Sequence, residues 1–170
     1  MFLIEETLLA LPVECAEERM IDLVEFVGLQ GVSDDAFGEG RQLLIQAGVA
    51  GVSKRVEVQV LPAQRIGGTL VVPIRWVATG PSGVLFPQLD ANLEIWPSGP
   101  DESALRLLGS YRPPLGGLGE RLDRLLLHRV AEATSQALLR DLADELTGIG
   151  RAPEPRSDRE PGPCASEIRH

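Results

Sequence analysis

The chain is poor in several residue types, and each shortage narrows its function. Lys54 is the only lysine among 16 basic residues, set against 25 acids for a formal charge of −9. Residues 151–170 carry Arg151, Arg156, Arg159 and Arg169 against Glu154, Asp158, Glu160 and Glu167, so the whole acidic excess falls on the rest. Phosphate recognition needs clustered cations, so no nucleic-acid partner and no docking on an anionic membrane are expected. Aromatic residues make up only 4%, so the core must be aliphatic and stacking platforms are few. The two histidines and two cysteines cannot complete a metal set of the usual spacing. No cofactor motif is present, and none is expected to be bound. Cys15 and Cys164 make no disulfide framework, and free thiols in a reducing, cytoplasmic setting are the expectation. No run approaches the ~18 apolar residues of a membrane-spanning helix. The opening MFLIEETLLALP lacks a basic flank and is interrupted by Glu5 and Glu6, unlike a secretory signal.

What is present is a change of period along the chain. Phe2–Leu11 is predicted as a strand that stops at Pro12. Glu5 and Glu6 are adjacent, so one of them must face inward or the strand must lie at an edge. Val13–Val27 places Val13, Ala16, Met20, Leu23, Val24 and Val27 at helical spacing. Ser33 is a candidate N-cap for a second helix ending near Ala47, with Asp34 and Asp35 in its first turn. Gly38 and Gly40 weaken that helix by about 1 kcal/mol each relative to alanine.

From Lys54 the period becomes two. Strands are predicted over 54–61, 69–79, 84–96 and 103–111, with a turn at Pro62–Gly68. Leu70, Val72, Ile74, Trp76, Leu89, Ala91, Leu93, Leu107 and Tyr111 fall on one face. Arg75, Phe86 and Trp96 fall on the other. Pro73 lacks a ladder donor, so its strand lies at an edge or is bulged there. Short turns predict an antiparallel meander, one face of which helices must cover. Arg112–Gly119 (RPPLGGLG) is a hard turn into a long helix over 120–146, with small residues Ala131, Ala133, Thr134, Ser135 and Ala137 at its middle. Residues 1–148 thus form one domain, and the Pro-rich, polar 149–170 is expected to be a disordered tail.

The opening "LALPVECAEERMIDL" (9–23) and the block "GSYRPPLGGLGERLDRLLLHRVAEATSQALLRDLADEL" (109–146) resemble the start and the close of START/SRPBCC superfamily domains of actinobacterial type. That superfamily includes birch-pollen allergens, polyketide cyclases and lipid-transfer domains. The resemblance implies an α+β helix-grip fold: a curved antiparallel sheet around a long C-terminal helix, with two short helices after strand 1. Four strands follow those helices here, where the family usually has six. The resemblance further implies a cavity between sheet and helix that takes an apolar or amphipathic small molecule, lipid or polyketide-like. Its walls would be the sheet residues named above together with Leu126, Val130, Ala133 and Ala137. Tyr111 and Trp76 would be its polar handles.

Other candidates are weaker. His128 groups with Arg121, Arg124 and Glu132 on a polar helix face. Arg75 points outward, and GGLGE (116–120) does not fit the dinucleotide fingerprint. The acidic runs Glu14–Glu18 and Asp141–Glu145 are expected to be solvated helix faces. Two further functions fit the residues. One is a cyclase- or dehydratase-type enzyme using Tyr111, with His128 behind it. The other is a ligand-free interaction module, or a homodimer, using Phe86 and Trp96 as an outer patch.

Overall fold

The computed structural model describes residues 2–46, 56–78, 88–112 and 124–148. The elements run β1 (Phe2–Leu9), α1 (Val13–Asp22), a π turn (Leu23–Val27), α2 (Gln30–Gln46), β2 (Val56–Val60), β3 (Gln64–Ile66), β4 (Thr69–Ala78), β5 (Gln88–Pro97), β6 (Ser103–Arg112) and α3 (Arg124–Thr147). The strands form one antiparallel sheet in the order β1-β6-β5-β4-β2, with β3 also on β4. β1 is an edge strand. Glu6 is exposed on its convex side, while Glu5 on the concave side accepts a hydrogen bond from Gln136 Nε2 at 3.3 Å.

Among the described residues five strands follow the helices rather than four. The additional one, β3, lies within the segment predicted as a turn. Ile66 pairs with Thr69, leaving Gly67 (φ 57°) and Gly68 (φ 85°) as a two-residue hairpin loop. Both loop positions need a positive φ, which glycine supplies without strain. Pro73 sits where β2 gives way to β3. Its carbonyl accepts from Leu61 N–H at 2.9 Å, so its missing N–H faces the same gap, where no ladder donor is required.

The first helix ends in the π turn, and Gly28 (φ 79°) closes it by donating to the Leu23 carbonyl at 2.7 Å. The second helix begins three residues before its predicted cap. Ser33 is fully buried inside it, and its N–H donates to the Leu29 carbonyl at 3.0 Å. Buried Leu29 anchors this earlier start. Gly40 proves to be a packing position. A Cβ there would lie 2.0 Å from Thr134 Oγ1 and 3.3 Å from the Val130 carbonyl, so α2 approaches α3 closely at this point.

One face of the sheet, α1, α2 and α3 share a single core. Met20, Phe37, Leu93, Ile95, Leu105, Leu107, Leu138, Leu142 and Leu146 are fully buried in it. The Arg19 guanidinium on α1 donates to the Leu146 carbonyl at 2.6 Å, capping the end of α3. The acidic run on α1 is not wholly solvated: Glu17 is buried and ion-paired with Arg65 of β3. Cys15, half-buried on α1, is disulfide-bonded, which corrects the free-thiol expectation. Cys164 lies outside the described residues, as do the RPPLGGLG turn from Pro113, Phe86 and the predicted tail. No helix among the described residues is long and apolar enough to cross a membrane.

Candidate functional site

The concave face is built from cross-strand rows. Trp76 pairs with Leu89 and Leu89 with Tyr111, so the three share one row at the ends of β4, β5 and β6. The next row contains Gly109 opposite Ala91, with Leu3 of β1 beside Gly109. A Cβ on Gly109 would meet Ala91 Cβ at 2.7 Å and the Asp90 carbonyl at 3.0 Å. Only glycine fits at that position, beside the bulky end row.

Leu3, Trp76, Leu89 and Tyr111 supply one wall of a cavity, and Val130, Ala131, Thr134 and Ser135 of α3 supply the other. Its volume is about 20 Å³, room for about one water. Of the residues the sequence pointed to, Trp76, Leu89, Tyr111 and Val130 meet here. Leu70, Val72, Ile74, Ala91, Leu93, Leu107 and Ala137 are buried core. Leu126 packs half-buried against that core, and Ala133 is half-buried on α3. Sequence reasoning did not single out Leu3, Ala131, Thr134 or Ser135. Serine and threonine next to alanine in mid-helix was the available signal.

The polar groups of this niche are unevenly satisfied. Ser135 Oγ donates to the Ala131 carbonyl at 2.6 Å and Thr134 Oγ1 to the Val130 carbonyl at 2.7 Å. These internal bonds let hydroxyls stay in an apolar setting. The Ser135 oxygen keeps its lone pairs as acceptors. Trp76 is only 3% exposed, and its indole N–H has no hydrogen-bond partner among the described residues. Tyr111 is 2% exposed. Burial, and secondly the Glu132 carboxylate, raise its pKa above the ordinary 10.0, so its hydroxyl stays protonated. Glu132 also accepts from His128 Nε2 at 3.0 Å on the outer side of α3. His128 is therefore on a polar face as expected, paired with Glu132. Arg75 lies on the convex side, bonded to Asp90 Oδ1 at 2.5 Å. Among the described residues no three His, Cys, Asp or Glu side chains gather to hold a metal ion.

Solved structures share the overall architecture. A conserved protein from Geobacillus kaustophilus superposes with a TM-score of 0.52 at 14% identity, over 87% of this chain and 96% of that one. The Zhui aromatase/cyclase from Streptomyces sp. R1128 gives 0.49 at 14% identity, over 89% and 96%. A START superfamily protein from Mycobacterium smegmatis gives 0.44 at 14% identity, over 87% and 98%. The fold is an α+β helix grip, an antiparallel sheet packed around a long C-terminal helix. No family model matches the chain, and no curated protein matches it in sequence. At these identities the likeness is one of architecture, and function must be argued from the site.

Proposed function

We propose that the protein binds a small molecule with an apolar or amphipathic body, lipid- or polyketide-like, whose polar end carries a hydrogen-bond acceptor. That end enters the niche between the sheet and α3, and the body leaves past the ends of β4, β5 and β6. The observation that carries this reading is the buried indole N–H of Trp76, which has no partner among the described residues, on a side chain that lines the cavity. Leaving such a donor unmade costs about 1–3 kcal/mol, and phenylalanine would fill a purely packed core without that cost. A single water can meet the donor in the resting protein, with Ser135 Oγ as a second contact. A ligand carbonyl or ether oxygen replaces that water, and the aliphatic walls of Leu3, Leu89 and Val130 receive the adjoining carbons.

Intrinsic fluorescence tests this. Trp96 is the only other tryptophan, so Trp96→Phe leaves Trp76 as sole reporter. Fatty acids, fatty alcohols and aromatic polyketides should shift its emission saturably. Alkanes of the same length, which lack an acceptor, should bind more weakly. Trp76→Phe should lower affinity by one hydrogen bond, about 2- to 10-fold. Emission unmoved by every compound, with native mass spectrometry showing bare protein, would sink the proposal.

A second reading has its own support. Tyr111 lines the niche with a protonated hydroxyl, the Glu132 carboxylate acts on it electrostatically, and His128 Nε2 lies 3.0 Å from Glu132. This is an acid–base set suited to a cyclase- or dehydratase-type reaction, with Tyr111 as donor. Tyr111→Phe would then abolish turnover of a bound polyketide-like compound while leaving its binding within a few-fold. Turnover that survives this change removes the reading.

A further inference from the structure

Away from the niche, the edge of the sheet carries a feature that small-molecule binding does not use. Among the described strands β1 pairs only with β6, so its other edge is open over eight residues. Residues 5–10 form one wall of a groove of about 410 Å³. Gln136, Arg140, Ala143, Asp144 and Thr147 of α3 form the facing wall. At roughly 3.3 Å per residue, six consecutive residues give a groove about 20 Å long. That length fits an extended segment. On the convex side of the same strand Phe2, Ile4 and Leu8 are 82%, 64% and 59% exposed. Ile4 pairs with Leu108 and Leu8 with Ala104, so the aliphatic stripe continues onto β6.

The charges select the occupant. Glu5, Glu6 and Asp144 line the groove. Arg140, the cation there, is engaged by Glu39 Oε1 at 2.7 Å and Asp141 Oδ1 at 3.5 Å. The chain as a whole carries −9. A second copy fits poorly: two β1 strands aligned antiparallel about residue 5 or residue 6 would set Glu5 or Glu6 against itself, and like charges directly opposite are destabilising. An incoming strand in register with β1 has two faces. Side chains opposite Glu5 and Thr7 enter the groove towards Asp144. Those opposite Ile4, Glu6 and Leu8 extend the convex aliphatic stripe.

We propose that the open edge of β1 and α3 form a docking groove for an extended peptide of another protein, one in which basic residues alternate with aliphatic ones. Recognition is by strand addition. Backbone bonds to β1 supply affinity, and the acidic groove and aliphatic rim supply specificity.

The test is fluorescence anisotropy of the full chain with four labelled octapeptides: alternating Lys-Val, alternating Glu-Val, and Lys-Val with every second amide N-methylated on one edge or on the other. Lys-Val should bind saturably. N-methylation on the β1-facing edge should weaken it about tenfold or more, and Glu-Val should not bind. The double charge reversal Glu5→Lys with Asp144→Lys should weaken Lys-Val about tenfold and admit Glu-Val, with an unchanged melting curve. Equal binding of the N-methylated peptide on both edges would reduce the effect to charge attraction and overturn the proposal. A stable dimer in size-exclusion light scattering, dissociated by Leu8→Lys, would make a second copy the occupant. Displacement of the probe by a synthetic peptide of residues 149–170 would make the chain's own C-terminal segment the occupant. Either result rejects an external partner.

Discussion

Gly38 and Gly40 lie two residues apart in α2, and alanine should act at them with opposite sign. At Gly38 an added Cβ meets nothing within 4 Å. Gly38→Ala should therefore gain the full helix-propensity difference, about 1 kcal/mol. At Gly40 the same gain is opposed by a Cβ placed 2.0 Å from Thr134 Oγ1 and 3.3 Å from Val130 Cγ1. Thr134 is buried and its hydroxyl is held on the Val130 carbonyl. It must therefore turn away and lose that bond, or the helices must part. Overpacking of this kind costs about 1–3 kcal/mol and the lost bond about 1 kcal/mol. Net of propensity, Gly40→Ala should destabilise by about 1–3 kcal/mol. Thr134→Ala removes the atom that is struck, so Gly40→Ala made in that background should cost about 1–2 kcal/mol less, a coupling typical of residues in contact. Urea unfolding monitored by circular dichroism gives all four corners of the cycle. If Gly40→Ala stabilises as much as Gly38→Ala, or if the coupling is zero, the close α2–α3 approach is refuted.

Tyr111 holds its proton more tightly when folded, so its contribution is complete below pH 10 and is lost as pH rises through the raised folded value. Tyr111→Phe should flatten that alkaline fall in urea midpoint, and an unchanged slope would contradict the burial. Asp141 is also raised, first by burial and then by Glu39, Asp35 and Asp144 against the opposing Arg140. Its charge therefore works against folding at neutral pH, and Asp141→Asn should raise the melting temperature at pH 7. The two proteins should converge below the ordinary Asp value near 3.8, where both carry a neutral side chain. Glu94 is 8% exposed and takes both Arg106 Nε at 3.0 Å and Nη2 at 2.5 Å. Arg106→Ala should cost about 2–3 kcal/mol in chemical denaturation, less than the ~3–5 kcal/mol of a fully buried broken pair. Glu94→Gln in the same background should recover part of it.

How far the sequence reaches depends on whether a residue's neighbours are local. Alternation along β4, β5 and β6 needs only a period of two, and the antiparallel register then brings Trp76, Leu89 and Tyr111 together. That wall of the niche was legible. Of the α3 wall only Val130 was, because Ala131, Ala133, Thr134, Ser135 and Ala137 put small side chains all round the helix. Hydropathy alone cannot say which of them turns inward. The close contact of Gly40 with Thr134 and Val130 decides it, and that contact spans α2 and α3. Leu3 likewise needed the β1–β6 pairing. β3 was hidden for a different reason: its three residues are all exposed, so no apolar alternation marks it. Ser33 has the chemistry of a cap, yet Gly28 and buried Leu29 start the helix earlier and place the hydroxyl in the core.

The position of the niche follows from where the core is full. Towards the Ser103 end of β6 the concave face carries Leu105, Ile95 and Leu70, and α3 answers with Leu138, Leu142 and Leu146; all are buried. Towards the Tyr111 end the sheet carries two rings, and α3 offers Val130, Ala131 and Ser135. Between the two ends lies the Gly109–Ala91 row, where a Cβ on Gly109 would strike Ala91 and the Asp90 carbonyl, so only glycine fits. The small helix residues opposite the two rings leave the niche of about 20 Å³. Trp76, one of its lining residues, keeps an indole N–H with no partner among the described residues. One end of the grip is therefore closed by aliphatic packing, and the other carries a buried donor beside a small cavity.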